Sequence, residues 1–130
     1  MDVRWKQRFN NFENAFLFFE KAVDQPNYTL LEMGGLVQSF EFTFELAWKT
    51  IKDYLESEGM DIKSPKEAIK AGFSTEIIED GHIWIEMLEK RNELSHTYNQ
   101  HIANQAVEFI KYKYYPAVEQ VYRYFKNTLK

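Results

Sequence analysis

The sequence predicts an all-α fold, an antiparallel up-and-down four-helix bundle with a short extra helix. Two observations support this class. Apolar residues recur at steps of three and four, the spacing of one helix face, and no segment keeps the alternating pattern of a half-buried strand. Helix-start and helix-stop signals then divide the chain into four substantial helices and a short fifth, joined by short loops as in an antiparallel bundle. The 130 residues suffice for one core, so we expect a single domain over residues 1–130.

The first predicted helix carries a stripe of large apolar residues and ends before Pro26. Its apolar positions are Trp5, Phe9, Phe12, Phe16, Phe19 and Val23. Aromatic residues at such steps are far more often core than ligand contacts, and we interpret them as core. Four helices with broad stripes nevertheless carry more apolar surface than one small core needs, which indicates an oligomer face. We therefore expect a homodimer.

The second predicted helix starts with a capping box. Thr29 and Glu32 stand at the two positions whose side chains each satisfy an unpaired backbone N–H. The helix should end at Gly59, a residue type common just after a helix. Gly34 and Gly35 each cost about 1 kcal/mol inside a helix. Either the helix begins after them, or another backbone approaches closely there.

The short helix is placed by a strong start signal. Ser64 is a good cap, Pro65 suits the first helical position, and Glu67 follows at the third. Gly72 is expected to close this helix after about two turns.

The fourth and fifth helices are placed by their caps as well. Ser74 or Thr75 should open the fourth, with a break at Gly81. Asn99 should cap the last helix, and Pro116 should bend it because proline deletes one backbone hydrogen bond.

Composition excludes several classes of function. With 16 basic and 20 acidic residues the net charge is -4, so nucleic acid can be contacted only locally. The absence of cysteine removes disulfide scaffolds, thiolate metal sites and thiol nucleophiles. Three separated histidines form no recognisable metal motif, and we predict no metal and no cofactor. Without an apolar leader or a run of membrane-spanning length, we expect a soluble cytoplasmic protein.

A polar segment from Arg91 to Tyr98 interrupts the apolar stripe of the fourth helix. On an ideal helix Arg91 and His96 lie about 140° apart, so they converge only if the helix ends or bends between them; Asn92 and His96 share one face. An arginine beside a histidine can bind a phosphodiester and exchange a proton, the minimum for metal-free RNA cleavage. In a shuffled chain with the same four arginines and three histidines, the expected number of such Arg-x4-His spacings is about 0.09. From spacing alone we favour a solvated Arg91, a capping His96 and a packed Tyr98.

Three stretches of the sequence, in this order, match one known family. They are 40–49 (Phe-Glu-Phe-Thr-Phe-Glu-Leu-Ala-Trp-Lys), 64–69 (Ser-Pro-Lys-Glu-Ala-Ile) and 84–98, which ends in Arg-Asn-Glu-Leu-Ser-His-Thr-Tyr. With them the chain resembles, from end to end, the HEPN superfamily, specifically its small bacterial branch of nucleotidyltransferase substrate-binding proteins. The third stretch contains that family's Arg-x4-His-x-Tyr motif intact.

The resemblance implies a dimerising helical bundle that acts beside a minimal nucleotidyltransferase. It implies that Arg91 and His96 are the catalytic pair of a metal-independent endoribonuclease toxin, with Asn92 orienting the site. It also implies that the partner enzyme modifies Tyr98 with AMP and so silences the cleavage of RNA. A twofold dimer with two motifs across one cleft would supply the second histidine that acid and base catalysis require.

A competing interpretation is a non-catalytic binding module or scaffold for the nucleotidyltransferase. The acidic segment 76–93 would dock onto the transferase by charge complementarity. Glu41, Glu45 and Lys49, spaced at i, i+4 and i+8, form either an exposed ion ladder or a polar stripe toward the cleft, and the exposed ladder is favoured. Basic residues in 4–8 and 111–130 could hold RNA if they border the cleft.

Overall fold

A computed structural model describes residues 3–94 and 99–130, and all regular structure in these ranges is helical. The helices are α1 (Val3–Val23), α2 (Leu30–Ser57), α3 (Pro65–Ser74), α4 (Gly81–Leu94), α5 (Gln100–Phe109) and α6 (Tyr115–Thr128). A π-helical segment, Ile110–Tyr114, joins α5 and α6 into one continuous helix. The predicted class is confirmed, with four substantial helices and α3 as the short fifth. None of the described helices combines the length and the apolar character that crossing a bilayer requires.

The antiparallel order of α1 and α2 follows from contacts along their length. Arg8, near the start of α1, pairs with Asp53, near the end of α2, at 2.9 Å between Nε and Oδ2. At mid-length the Thr43 hydroxyl of α2 donates to the Ala15 carbonyl of α1 at 3.3 Å. Helices α1 and α2 therefore form one antiparallel pair.

Helix α6 runs antiparallel to α1 and closes the bundle over it. The ring of Trp5, at the start of α1, lies 5.7 Å from that of Phe125, at the end of α6. Later in α1, Phe16 stacks on Tyr115, at the start of α6, with ring centroids 5.6 Å apart. Helix α4 packs against α2, where the ring of Trp84 lies 5.6 Å from that of Phe44.

The core is built mainly of aromatic rings. Its most deeply buried members come from every long helix, which confirms the prediction that the aromatic stripes are core; they include Phe9, Phe12, Phe16, Phe19, Phe40, Phe44, Trp84, Tyr114 and Phe125. Fully burying one such side chain stabilises the fold by about 1.5–3 kcal/mol. Among the described residues, Trp84 Nε1 is the one buried side-chain polar atom without a hydrogen-bond partner.

The capping box of α2 forms as predicted. Thr29 and Glu32 exchange both side-chain hydrogen bonds, and Gly59 follows the helix with a φ of 96°. The two explanations offered for Gly34 and Gly35 are both wrong, since the helix runs through them and no neighbouring element lies within 4 Å of a Cβ built at either. The tertiary packing of the rest of this 28-residue helix outweighs their unfavourable propensity.

The junction between α3 and α4 corrects two predictions. Ser64 caps α3 as expected, but the helix continues past Gly72 to Ser74. Gly72 is needed for close packing, because a Cβ there would lie 3.0 Å from the Ile78 side chain. The Thr75 hydroxyl donates to the Ala71 carbonyl at 2.8 Å, so Thr75 ends α3 and does not open α4.

Helix α4 starts at Gly81, the residue at which a break was expected. The Asp80 carboxylate accepts a hydrogen bond from the Ile83 backbone N–H at 3.2 Å and caps the helix. The buried Ile77 and Ile78 lie in the connection before it. Ile77 continues the apolar period of α4 backward but belongs to a packed loop, which periodicity does not separate from a helix.

The last helix begins where the sequence indicated, and it carries a π segment just before Pro116. The Asn99 side chain accepts from the Ile102 N–H at 2.9 Å, which confirms the predicted cap. Ahead of Pro116 the helix widens into the π segment, in which the Tyr115 N–H bonds to the Ile110 carbonyl. A proline ring clashes with the carbonyl four residues before it, and the wider turn relieves that crowding.

Candidate functional site

Arg91 lies in the last turn of α4 and reaches across to α2. Its Nη1 donates a hydrogen bond to Glu45 Oε1 at 2.8 Å. The arginine side chain is 26% exposed and the carboxylate 37%, so the pair lies at the half-buried boundary between the two helices. A guanidinium at this depth is partly shielded from water, which strengthens its contacts, and still meets solvent, from which an anion can approach.

Glu45 is held in turn by its own helix. The indole Nε1 of Trp48 lies 3.1 Å from Glu45 Oε1 and 2.9 Å from Oε2, and Lys49 Nζ stands 5.9 Å from the centroid of the same indole. Glu45 therefore belongs to a polar stripe that faces α4. The preference for an exposed ion ladder through Glu41, Glu45 and Lys49 was wrong at Glu45.

Of the other three predicted site residues, the structure describes one, Asn92. Asn92 is exposed on α4. His96 and Tyr98 lie outside the described residues, so the convergence of Arg91 and His96 stays a prediction. At Asn99 the backbone is extended, with φ -131° and ψ 162°, and the next helix starts after it. The motif therefore begins in the last turn of α4, and α5 is a separate helix that starts after it.

A second polar cluster lies one and a half turns before Arg91 on α4. Glu86 accepts hydrogen bonds from Lys113 Nζ at 2.8 Å and from the Tyr114 hydroxyl at 2.7 Å. These bonds, the one from Lys113 first, lower the pKa of Glu86 below its ordinary value. Burial, and then the Glu86 carboxylate, raise the pKa of Tyr114. The cluster pins the π segment to α4.

Sequence reasoning missed both of these arrangements. The signal for the first is the i, i+3 spacing of Glu45 and Trp48, which places a carboxylate and an indole N–H on neighbouring positions of one helix. For the second no local signal exists, because Glu86 and Tyr114 are 28 residues apart.

The basic residues near both ends of the chain are mostly engaged by carboxylates. Five of those singled out from the sequence form such pairs: Arg4 with Glu56, Arg8 with Asp53, Lys113 with Glu86, Arg123 with Glu119, and Lys126 with Glu13. Each of these five positive charges thus has a carboxylate partner, and the binding of RNA by them stays a prediction. Glu56, the partner of Arg4, lies about 16 Å along α2 from Glu45 at a rise of about 1.5 Å per residue, so the Arg4 pair is remote from Arg91.

A groove of about 1020 Å³ runs along the outer side of α1 and α2. Phe18 and Phe42, 67% and 62% exposed, line it together with Leu36 and Leu46. Most of the polar lining is uncharged, supplied by Asn11, Asn14, Gln25, Gln38 and Ser39. Phe42 precedes Glu45 by three residues on α2, so the groove is continuous with the face that carries the arginine site.

Within residues 3–94 and 99–130, no group of three or more histidine or acidic side chains is arranged to hold a metal ion. The site that the described residues build is thus an arginine with an internal carboxylate. A charged, planar donor of this kind is chemically able to recognise an anion.

The fold and the site together define the class of this protein: an all-α bundle that presents a carboxylate-bound arginine between two of its helices. The chain belongs to the family described as nucleotidyltransferase substrate binding protein like, which matches residues 7–127. A solved structure of a protein from Thermus thermophilus is similar in fold, with a TM-score of 0.76 and 28% sequence identity over 85% of this chain and 94% of the other. A comparison with curated proteins finds no match.

Proposed function

We propose that this chain is a HEPN-type toxin that acts in the cytoplasm beside a minimal nucleotidyltransferase, as a metal-independent endoribonuclease silenced by adenylylation of Tyr98. The observation that carries the proposal is the guanidinium of Arg91. It lies half-buried between two helices and stands five residues before His96 in an intact Arg-x4-His-x-Tyr sequence. Membership of a nucleotidyltransferase-associated family supports the choice of partner.

The proposed reaction is an internal transesterification of RNA. His96 takes the proton of a ribose 2′-hydroxyl, whose oxygen attacks the adjacent phosphorus, and the 5′-oxygen leaves with a proton from a second acid. Arg91 binds the non-bridging phosphate oxygens and stabilises the charge that develops on them. Asn92 helps to orient the site. One histidine cannot readily be base and acid together, so the second acid is the His96 of another copy.

A homodimer therefore belongs to the proposal, and the α2 face that carries Phe42 is its proposed contact. Exposed aromatic side chains of this size commonly mark protein contacts. Phe42 is one helical turn from Glu45, so a second copy seated there would lie beside the arginine site. Sedimentation analysis tests this step: Phe42→Ser should yield monomers, whereas Phe73→Ser, a change at another exposed phenylalanine, should leave the dimer intact.

Tyr98 is the proposed point of control. Its phenol oxygen would attack the α-phosphorus of ATP in the transferase, with pyrophosphate as the leaving group. The attached AMP brings bulk and negative charge to a position two residues from His96, where it would exclude an RNA phosphate.

RNA cleavage in the presence of a chelator is the direct test of nuclease activity. The purified protein should cut RNA, and His96→Ala should abolish the cut. His101→Ala is the matched control, because His101 is exposed on α5 and lies outside the motif. Cleavage that survives His96→Ala contradicts the proposal.

Mass spectrometry after incubation with the nucleotidyltransferase and ATP tests the silencing. One AMP should appear on Tyr98, and cleavage should fall as the modified fraction rises. Tyr98→Phe should stay active and unmodified. The exposed Tyr112, changed to phenylalanine, serves as control and should be modified like the unaltered protein.

A non-catalytic scaffold for the nucleotidyltransferase is the second candidate. The ion pairs of the basic side chains favour it, since they reduce the positive field that would hold RNA. This candidate is preferred if the purified protein binds the transferase but neither cuts RNA nor acquires AMP.

A further inference from the structure

Glu45 contacts two side chains at once. Its Oε1 accepts from Arg91 Nη1 at 2.8 Å, and both of its oxygens lie within hydrogen-bond distance of Trp48 Nε1. Trp48 is only 9% exposed, so its indole has little freedom to move. The buried indole thus fixes the carboxylate, and the carboxylate fixes the guanidinium.

We propose that Glu45 is a positioning residue for Arg91, and that Trp48 completes this chain of contacts. The inference rests on the proposed function, in which Arg91 binds the phosphate that reacts. Glu45 itself touches no substrate. It sets the direction in which the guanidinium plane faces, and the indole keeps Glu45 from turning away.

The geometry favours orientation over simple neutralisation. A guanidinium carries five N–H donors in a rigid planar fork. The contact with Glu45 engages the donor at Nη1. It therefore orients the guanidinium plane and leaves other N–H donors for a phosphate. A carboxylate held only by water would move with the guanidinium. Because the buried indole of Trp48 holds Glu45, the carboxylate instead restricts the position of the guanidinium.

The energetics allow orientation to be tested separately from folding. With exposures of 26% and 37%, the pair is screened by solvent, and pairs of this kind contribute little to stability. A misplaced catalytic group, by contrast, lowers turnover by about 100-fold for a shift near 1 Å. Removing the Glu45 charge should therefore change catalysis far more than folding.

The chain supplies a matched control on the same helix. Glu56 also accepts from an arginine of a neighbouring helix, with Arg4 Nη2 at 2.7 Å from its Oε1. The substitution Glu56→Gln is chemically identical to Glu45→Gln, and it removes the ion pairs of Glu56 with Arg4 and Lys52, which are remote from Arg91. Both variants should unfold at nearly the same urea concentration as the unaltered protein.

The experiment measures RNA cleavage and the Arg91 side-chain nitrogen signals in the same variants. Glu45→Gln should lower kcat by about 10- to 100-fold with little change in KM, and Trp48→Phe should lower it less. Glu56→Gln should change neither. In a double-mutant cycle with Arg91→Lys the loss from Glu45→Gln should disappear, because the group that it positions is gone.

Nitrogen-15 spectra give a readout that does not depend on nuclease activity. A guanidinium held by a carboxylate rotates slowly and gives separate Nη–H signals, which should collapse in Glu45→Gln and persist in Glu56→Gln. If the unaltered protein cuts no RNA, the proposed function fails while the spectra still decide the positioning.

Three results would overturn the inference. The first is separate Arg91 signals that persist in Glu45→Gln. The second is cleavage by Glu45→Gln that equals or exceeds the original, which would make the carboxylate a competitor for the guanidinium. The third is a loss from Glu45→Gln that adds in full to the loss from Arg91→Lys.

Discussion

Two ion-pair sites on α2 use the same side-chain types in opposite ways. At the first, Asp53 is 4% exposed and two arginines cover it, Arg8 at 2.9 Å and Arg4 at 3.7 Å. At the second, Arg91 is the less exposed member of its pair and Glu45 lies nearer the surface. A buried carboxylate under arginines is an element of the fold, because the acid must be compensated there. Under the proposed function, the half-buried Arg91, held by one carboxylate, is instead presented to a phosphate.

The largest effect is expected from Arg91→Lys, which tests whether the Arg91 pair is functional and the Asp53 pair structural. Lysine keeps the charge but loses the planar fork, so we expect RNA cleavage to fall by about 100- to 1,000-fold, with an unfolding free energy within about 1 kcal/mol of the original. Arg8→Lys should leave the cleavage rate unchanged. Single-turnover cleavage and urea unfolding of both variants provide the check, and equal losses of activity would show that the two sites do not differ in kind.

The converse change is Asp53→Asn. The substitution removes a buried charge beneath two arginines, and we expect the unfolding free energy to fall by about 2–3 kcal/mol. Glu45→Gln should lower it by less than about 1 kcal/mol. Urea titrations of the two variants decide the point; a larger destabilisation from Glu45→Gln would reverse the assignment of the structural and the presented pair.

Acid should remove the stabilisation that the carboxylates of Glu86 and Glu13 give to the fold. Hydrogen bonds from Lys113 and Tyr114 lower the pKa of Glu86, and those from Lys126 and Tyr122 lower the pKa of Glu13. Because the folded state holds these protons less tightly, their stabilisation is present above the ordinary value of 4.5 and is lost as the pH falls through the lowered values.

The measurement is the unfolding free energy as the pH is lowered from about 6, which should decrease below about 4.5. In Glu86→Gln the decrease should be shallower. An identical slope in that variant would mean that the Glu86 cluster does not stabilise the fold through its charge.

The smallest effect is expected from a comparison of two tryptophans. Trp84 is fully buried with an unpaired indole N–H, so in Trp84→Phe the lost contacts are offset by removal of that donor, and the change should stay within about 1 kcal/mol. Trp48→Phe should cost about 1–2 kcal/mol, since its N–H is bonded to Glu45. Thermal or urea unfolding that ranks the two variants the other way would contradict this reading of the buried donor.

The sequence predicted the features of this molecule that are local. The capping box at Thr29, the caps at Ser64 and Asn99, and the stop at Gly59 depend on neighbours a few residues away and were confirmed. The start of α4 was misplaced, because the buried Ile77 continued the apolar period into a loop.

The candidate site was predicted only in part, for a related reason. Arg91 was identified from a motif within one segment, whereas its partner Glu45 lies 46 residues away, and that distance is bridged only by the packing of α4 on α2. Helical spacing ranks positions along one helix. It does not say which neighbouring helix a charged side chain will meet, so Glu45 was assigned to the solvent side.

The π segment has a consequence for insertions and deletions. It places one more residue in a turn than an ordinary helix holds, and one residue corresponds to about 100° of rotation. Because the π turn already absorbs this residue, deleting one residue between Ile110 and Tyr114 would restore a regular α-helix with α5 and α6 still in phase. Inserting one residue would instead rotate α5 against α6 and swing the face by which Gln100 touches Met33. The number of residues in this segment, more than their identity, thus sets the rotation of α5, which follows the motif, relative to α6.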